Sequence, residues 1–289
     1  MTRFILLCGA LLPAALLAQQ AGGRWEPVAH ALGTGGNTAG ETYRATFPRS
    51  DLRVRIGDVA VAPALALTSW AGFAGSADTA DVMGDLVLTE REVPVVTRGL
   101  LGASFDVTGI HHHLIGETPR VFYLHYHGRG PAVQLAARLR EVLARTATPM
   151  GEPAAATRPA RVTLDTAALF AALGAHGRLA GNVAQVSVPT SGSAVTLDGR
   201  ALPAALGVNT AINLQGVTAR RAVSTGDFVL TAARVQPTVR ALEGSGIRVT
   251  AIHNHLIGES PAAYFVHFWG DGEPLALARE LKAAIDSAR

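Results

Sequence analysis

The chain repeats itself. Residues 107–119 read VTGIHHHLIGETP and residues 249–261 read VTAIHNHLIGESP, identical at ten of thirteen positions across an offset of 142. The register extends outward: Gly84-Asp85 matches Gly226-Asp227, and Leu135 and Leu139 match Leu277 and Leu281. Further upstream, Gly33, Gly36, Gly40 and Pro48 match Gly174, Gly177, Gly181 and Pro189 at an offset of 141. A repeat of this length is one folding unit copied, so any fold assigned to the first half has to serve the second. The expected organisation is a first module at 24–147, a linker at 148–160 in a Pro/Ala/Thr-rich stretch, and a second module at 161–289.

Apolar residues make up 48% of the chain and charged ones 16%, which supports a large core in each module. The formal net charge is +3, but Lys282 is the only lysine and no Lys/Arg run forms a stripe, which argues against nucleic-acid binding. Residues 1–18 are expected to be a signal peptide, with Arg3 as the positive start, an apolar run over 4–17 and the small residue Ala18 at its end. That run is too short for a comfortable membrane span. Cys8 is the only cysteine, and Leu7 stands before it where a lipidation site wants a small residue. Cleavage would leave a mature chain with no thiol, no disulfide and no stable membrane anchor. The expected location is therefore periplasmic or secreted.

The element pattern predicts an α+β fold: two tandem copies of a β-α-β-β-α-type module, mostly antiparallel sheet with helices on one face. Helices are expected at 25–32 and 165–173, each stopped by glycine. Strands follow at 43–47 and 52–56, with copies at 183–188 and 194–197; a Gly/Ser/Ala-rich connection then leads to a strand at 85–88. Thr89-x-x-Glu92 has capping-box spacing for a helix through 101, with Pro94 near its start. The last helix carries Leu135, Leu139, Val142 and Leu143 on one stripe. Asp85 and Asp227 read as strand-edge turn residues, and Trp70, which has no counterpart in the second copy, reads as a core aromatic.

Residues 107–115 and 120–127 alternate as a hairpin. Ile110, Leu114, Phe122, Leu124 and Tyr126 share the apolar face, leaving His111, His113, Tyr123, His125 and His127 on the other. The second copy places His253, His255, Phe265, His267 and Trp269 in the same way. Imidazoles at i and i+2 stand about 6–7 Å apart at the backbone, close enough to chelate one ion. The expected ligands are His111, His113, His125 and Glu117, with His253, His255, His267 and Glu259 in the second module. Such a set suits a divalent metal, zinc first, with manganese, iron and copper as the other candidates. Co-facial placement puts His111 across from His125 and requires an odd-numbered loop around 116–120.

The spacing His-x-His-x-x-x-Glu resembles the first metal motif of the cupins, although cupins are all-β and these modules have helical flanks. The paired hairpins, with Met83-Gly-Asp-Leu-Val-Leu88 and Phe47-Pro-Arg-Ser-Asp-Leu52, resemble the LppY/LpqO family over nearly the whole mature chain. The resemblance implies an exported bacterial protein with a duplicated domain of unknown function, and it brings no activity with it. The chain departs from the lipoprotein members in lacking a lipidation signal.

The functional expectation is an exported metal-binding protein acting as a metal-dependent hydrolase. Glu117 would be a fourth ligand or the base that deprotonates water, and His127 a spare imidazole for proton transfer. Because Trp269 replaces His127 in the second copy, the first module is expected to be the tighter site. The alternatives are a non-enzymatic binder of metal or a small molecule, and an interaction protein whose histidine faces pack the modules together. No Gly-x-Ser-x-Gly, phosphate loop or dinucleotide fingerprint is present in context. Exported protein should begin near Gln19; N-terminal sequencing that still reads Met1 would overturn the export assignment.

Overall fold

The computed structural model describes residues 23–151, 164–189 and 194–289. The signal-peptide expectation at 1–18 and most of the expected linker lie outside them. The first module begins with α1 (Glu26–Leu32), β1 (Gly36–Ala39), β2 (Thr42–Pro48), β3 (Arg55–Ile56), β4 (Val59–Ala60) and α2 (Pro63–Ala66). It continues through β5 (Thr68–Gly75), β6 (Ala80–Thr89), α3 (Val93–Gly102), β7 (Asp106–His111), β8 (Glu117–Thr118), β9 (Val121–Gly130) and α4 (Ala132–Leu143). The second module begins with α5 (Thr166–Leu173), β10 (Gly177–Ala180), β11 (Val183–Val188), β12 (Thr196–Leu197) and β13 (Arg200–Ala201). After a 3-10 turn (Ala204–Leu206) come β14 (Thr210–Thr218), β15 (Arg221–Leu230), α6 (Ala232–Gly244), β16 (Arg248–His253), β17 (Glu259–Ser260), β18 (Tyr264–Gly272) and α7 (Pro274–Ser287).

Each module is an antiparallel six-stranded sheet, ordered β1-β2-β5-β6-β9-β7 in the first and β10-β11-β14-β15-β18-β16 in the second. The α+β expectation holds. Helices cover one face: Leu135 and Leu139 of α4 and Val96 and Leu100 of α3 pack on Leu86, Leu124 and Tyr126 of the sheet. The second module builds the same core from Leu242, Leu277 and Leu281 against Ile212, Phe228 and Phe268. Glu92 accepts from both the backbone and the hydroxyl of Thr89, so the capping-box pair forms just ahead of α3.

Three sequence expectations change. The expected strand at 52–56 shrinks to β3, a member of a small β4-β3-β8 sheet. The segment expected as a connection contains β5, a central strand whose small residues leave room for close packing: a Cβ on Gly72 would stand 2.8 Å from Leu206 Cδ2. The hairpin's apolar face is covered only near β9. Ile110, on edge strand β7, is 47% exposed, and its copy Ile252 is 49% exposed.

The helix-free faces of the two sheets turn toward each other, giving a helix–sheet–sheet–helix stack. Two clusters of apolar residues draw from both modules. Val87, Leu114 and Tyr123 pack with Val183, Val223 and Trp269, while Ala74 and Met83 pack with Leu202, Leu206 and Leu256. Each module also extends an arm across the other's sheet: α2 lies against β14 and β15, and the 3-10 turn lies against β2, β5 and β6. Side-chain amides fasten the first arm, with Gln185 donating to Ala64 O, Asn213 to Leu65 O and Gln215 to Ala60 O. Arg44 fastens the other by donating to Ala205 O at 2.8 Å.

Leu65 and Leu206 anchor these arms at 1% and 0% exposure. Removing a buried leucine side chain costs about 2–5 kcal/mol. We expect Leu65→Ala and Leu206→Ala each to lower the midpoint of one shared unfolding transition, followed by circular dichroism in denaturant. Two separated transitions in the native chain would show that the modules do not depend on each other.

Candidate metal centre

The strand register decides which side chains meet. His111 stands opposite Tyr123 and Gly109 opposite His125, two residues from the expected pairing. A shift of two keeps the strand side chains on their faces, so the expected histidine face survives, but Leu114, beyond the end of β7, leaves the apolar face and packs with Val87 and Tyr123. A bulge at Thr108, repeated at Thr250, separates this stretch from the rest of β7. Each bulge threonine donates across to the other module: Thr108 to His255 O at 2.6 Å and Thr250 to His113 O at 2.7 Å.

The two histidine faces interleave. Ring centroids lie 3.7 Å apart for His111–His253, 3.7 Å for His113–His267 and 3.9 Å for His125–His255. The arrangement is close to two-fold. His111–His125 at 4.8 Å mirrors His253–His267 at 4.9 Å, and Tyr123 stacks on His113 as Phe265 stacks on His255. The expectation of one separate site per module therefore gives way to a composite site.

Two carboxylates complete it. Asp85 is paired with His125 across β6 and β9, and Asp227 with His267 across β15 and β18. Asp85 Oδ2 approaches His113 Nε2 at 3.4 Å, and Asp227 Oδ2 approaches His255 Nε2 at 3.3 Å. Donor atoms within 4.8 Å of one another group as Asp85–His113–His125 and as Asp227–His253–His255–His267. Two further groups cross the modules, His111–His113–His267 and His111–His125–His253. The Gly-Asp pairs suggest turns by sequence, but Asp85 and Asp227 lie inside long strands, facing the histidines. The signal that could have found them was their retention at matched positions in both copies.

Glu117 and Glu259 do not join these groups. Glu117 accepts from the backbone of Val121 at 3.4 Å, and Glu259 accepts from Asn254 and from the backbone of Ala263, so both brace the loop after the histidines. The reason is geometric: Glu117 sits in β8, paired with Ile56 in the small sheet, away from the histidine face. His127 is also elsewhere. Its Nε2 meets Asp81 at 3.1 Å, and Asp81 also receives Arg129 and, from the second module, Arg200. Burial works against the Asp81 charge, but the bonds from His127 and Arg200 hold its pKa down to about 2.

The cluster is polar, buried and unsatisfied. Asp85 Oδ1, Asp227 Oδ1, both nitrogens of His111 and the Nε2 atoms of His113, His125, His253, His255 and His267 are buried without a hydrogen-bond partner. Such atoms are rare in a folded protein. The Nδ1 atoms of His125 and His267 meet the carbonyls of Gly84 and Gly226 at 3.2 and 2.8 Å, which leaves Nε2 free and aimed. Ligand imidazoles are oriented in this way in metal sites. Imidazole and carboxylate together fit a first-row divalent ion. Burial also keeps the rings neutral, as ligands must be: His125, His253 and His267 fall to about 4, and His111, His113 and His255 fall well below their ordinary range. Burial and the nearby Asp227 carboxylate raise Asp85 to about 8.

Cavities flank the cluster. One of about 700 Å³ lies on the aspartate side, bounded by both sheets and both arms; another of about 560 Å³ lies beside His111 and His253.

The family model described as "Domain of Unknown Function (DUF1259)" matches residues 26–145 and again 167–287. The chain belongs to this family. Its two matched segments are the two modules, each contributing one half of the cluster. No curated protein matches the chain. Among solved structures, the fused permuted hexameric shell protein MSM0275 from the RMM microcompartment is 17% identical over 73% of this chain and 85% of that one. Its TM-score is 0.18, too low to carry any argument.

Stability without metal should depend on pH with a known sign. Histidines held near 4 stay neutral while the unfolded chain takes up protons below about 6.5, so stability falls as pH drops from about 6.5 to 4. Asp85, held near 8, keeps a proton that the unfolded chain releases above about 4, so its contribution is lost as pH rises toward 8. Several histidines outweigh one aspartate in the acidic window. The metal-free protein should be most stable near pH 6.5, read from denaturant midpoints between pH 4.5 and 8.5. A rise in stability toward pH 5 would contradict the buried neutral cluster.

Proposed function

We propose that this protein holds divalent transition-metal ions between its two modules, in a centre built from His111, His113, His125 and Asp85 with His253, His255, His267 and Asp227. The observation that carries the reading is the set of buried donor atoms with no hydrogen-bond partner on all eight side chains. Their spread into one group per module suggests room for two ions related by the internal two-fold. Zinc is the first candidate, with manganese, iron and copper next.

The finer reading is a metal-dependent hydrolase. A bound ion of this class polarises a substrate oxygen and makes a coordinated water a nucleophile near neutral pH. The specific observation favouring it over a purely structural site is the cavity of about 700 Å³ beside the donors, within the range for small-molecule sites. Tyr123 and Phe265, stacked on His113 and His255, hold the rings in place, and the Gly84 and Gly226 carbonyls set their orientation. We also propose that the protein works outside the cytoplasm, as the N-terminal pattern implies, and that it is kin to the LppY/LpqO proteins.

Elemental analysis of protein purified without an affinity tag should find a transition metal. His267→Ala should remove most of it, and Glu117→Gln should leave it unchanged, since glutamine still accepts from Val121. Full metal content in His267→Ala would overturn the proposed ligand set, and a loss in Glu117→Gln would return that residue to it.

A further inference from the structure

The cavity on the aspartate side is not symmetric, although the donors around it nearly are. Arg44 on β2 pairs with Gly72, and Gln185 on β11 pairs with Asn213, so these two residues occupy equivalent places. Trp70 and Ala211 are equivalent as well, opposite Asp85 and Asp227 respectively. All four line the cavity. The first module's wall is therefore a guanidinium stacked 3.7 Å over the Trp70 ring, and the second module's wall is a neutral amide beside a methyl group.

Arg44 is a cation with donors to spare. The hydrogen bond it makes among the described residues runs from Nη1 to Ala205 O, which leaves most of its five N–H groups uncommitted. No carboxylate of the described residues forms an ion pair with it; burial works against its charge, and Asp85 nearby favours that charge without bonding to it. The tryptophan face beneath fixes the plane of the guanidinium, the geometry that recognises oxyanions with two parallel bonds. Across the cavity, Gln185 donates to Ala64 O while its Oε1 is buried with no partner, an acceptor waiting for a donor.

We propose that this cavity binds a small molecule with an oxyanion at one end, carboxylate or phosphate, held by Arg44, and a hydrogen-bond donor at the other, held by Gln185 Oε1. The inference rests on the metal reading for its setting. The ions would neutralise Asp85 and Asp227 and make the cavity attractive to an anion. It names the substrate class for that site: the reacting group lies between the two ends, beside the histidines.

The probes are acetate and inorganic phosphate, titrated calorimetrically into metal-loaded protein after unbound metal has been removed. Each also has a second readout in tryptophan fluorescence, since Arg44 covers Trp70. We expect one or both anions to bind, and Arg44→Gln, which copies the residue of the other module, to weaken binding roughly tenfold or more with metal content unchanged. Arg44→Lys should restore part of the loss. Acetate alone binding would identify a carboxylate ligand, and phosphate alone a phosphate. Equal affinity in Arg44→Gln at full metal content would overturn the proposal and place the anion on the ions themselves. If the native protein takes up no metal, the metal reading fails by itself. Arg44-dependent anion binding to that metal-free protein would still uphold the oxyanion site, and its absence would end it.

Discussion

Eight ionisable side chains place donor atoms out of water between two sheets, at a desolvation cost that no hydrogen bond among the described residues offsets. A neutral imidazole or a carboxylate taken from water without a hydrogen-bond partner is destabilising by kilocalories, and here the unpartnered atoms are gathered in one place. Everything around them serves to hold that arrangement. Helices seal the outer faces, so the inner faces have only each other to pack against. The arms cross, so neither sheet keeps its inner face without the other module. Bulge threonines bind the backbone at His255 and His113, tying the histidine-bearing loop of each module to the edge strand of its neighbour.

The electrostatics are consistent with this role. Burial, with the Asp227 carboxylate nearby as a second cause, is why Asp85 holds its proton into the neutral range. Burial also keeps the imidazoles from taking up protons, and for most of them the neighbouring rings add to it. A cation reverses both penalties at once, because it favours the carboxylate and needs the neutral ring. The Asp81 network shows the contrast within the same molecule: there Arg129 and Arg200 supply the compensating charge, His127 adds a hydrogen bond, and the carboxylate remains ionised.

Much of this was legible in the residues. The repeat declared two modules, and the alternation in 107–127 placed His111, His113 and His125 on one face because side-chain period survives a two-residue change of register. The apolar stripe of Leu135 and Leu139 marked the covering helix. Two things were hidden. Asp85 and Asp227 follow glycines and looked like turn residues, since nothing local marks the middle of a strand rich in small side chains. Glu117 had the right spacing for a ligand, but the chain leaves β7 after His111 and pairs Glu117 with Ile56, a contact 61 residues away that no local pattern encodes. That the two histidine faces would meet was one reading among several, because periodicity describes a face and not its partner.

The near two-fold relation of the centre has a consequence for how such a site is assembled. Each module holds half of the donors, so the centre exists only where two modules come together in one orientation. In separate chains that encounter would depend on concentration; within one chain the partner is always present at an effective concentration of order millimolar. Joining the halves also frees them to differ. In a pair of identical chains any change appears on both walls of the cavity, whereas a single chain can keep arginine on one wall and glutamine on the other, and so tell one end of a bound molecule from the opposite end.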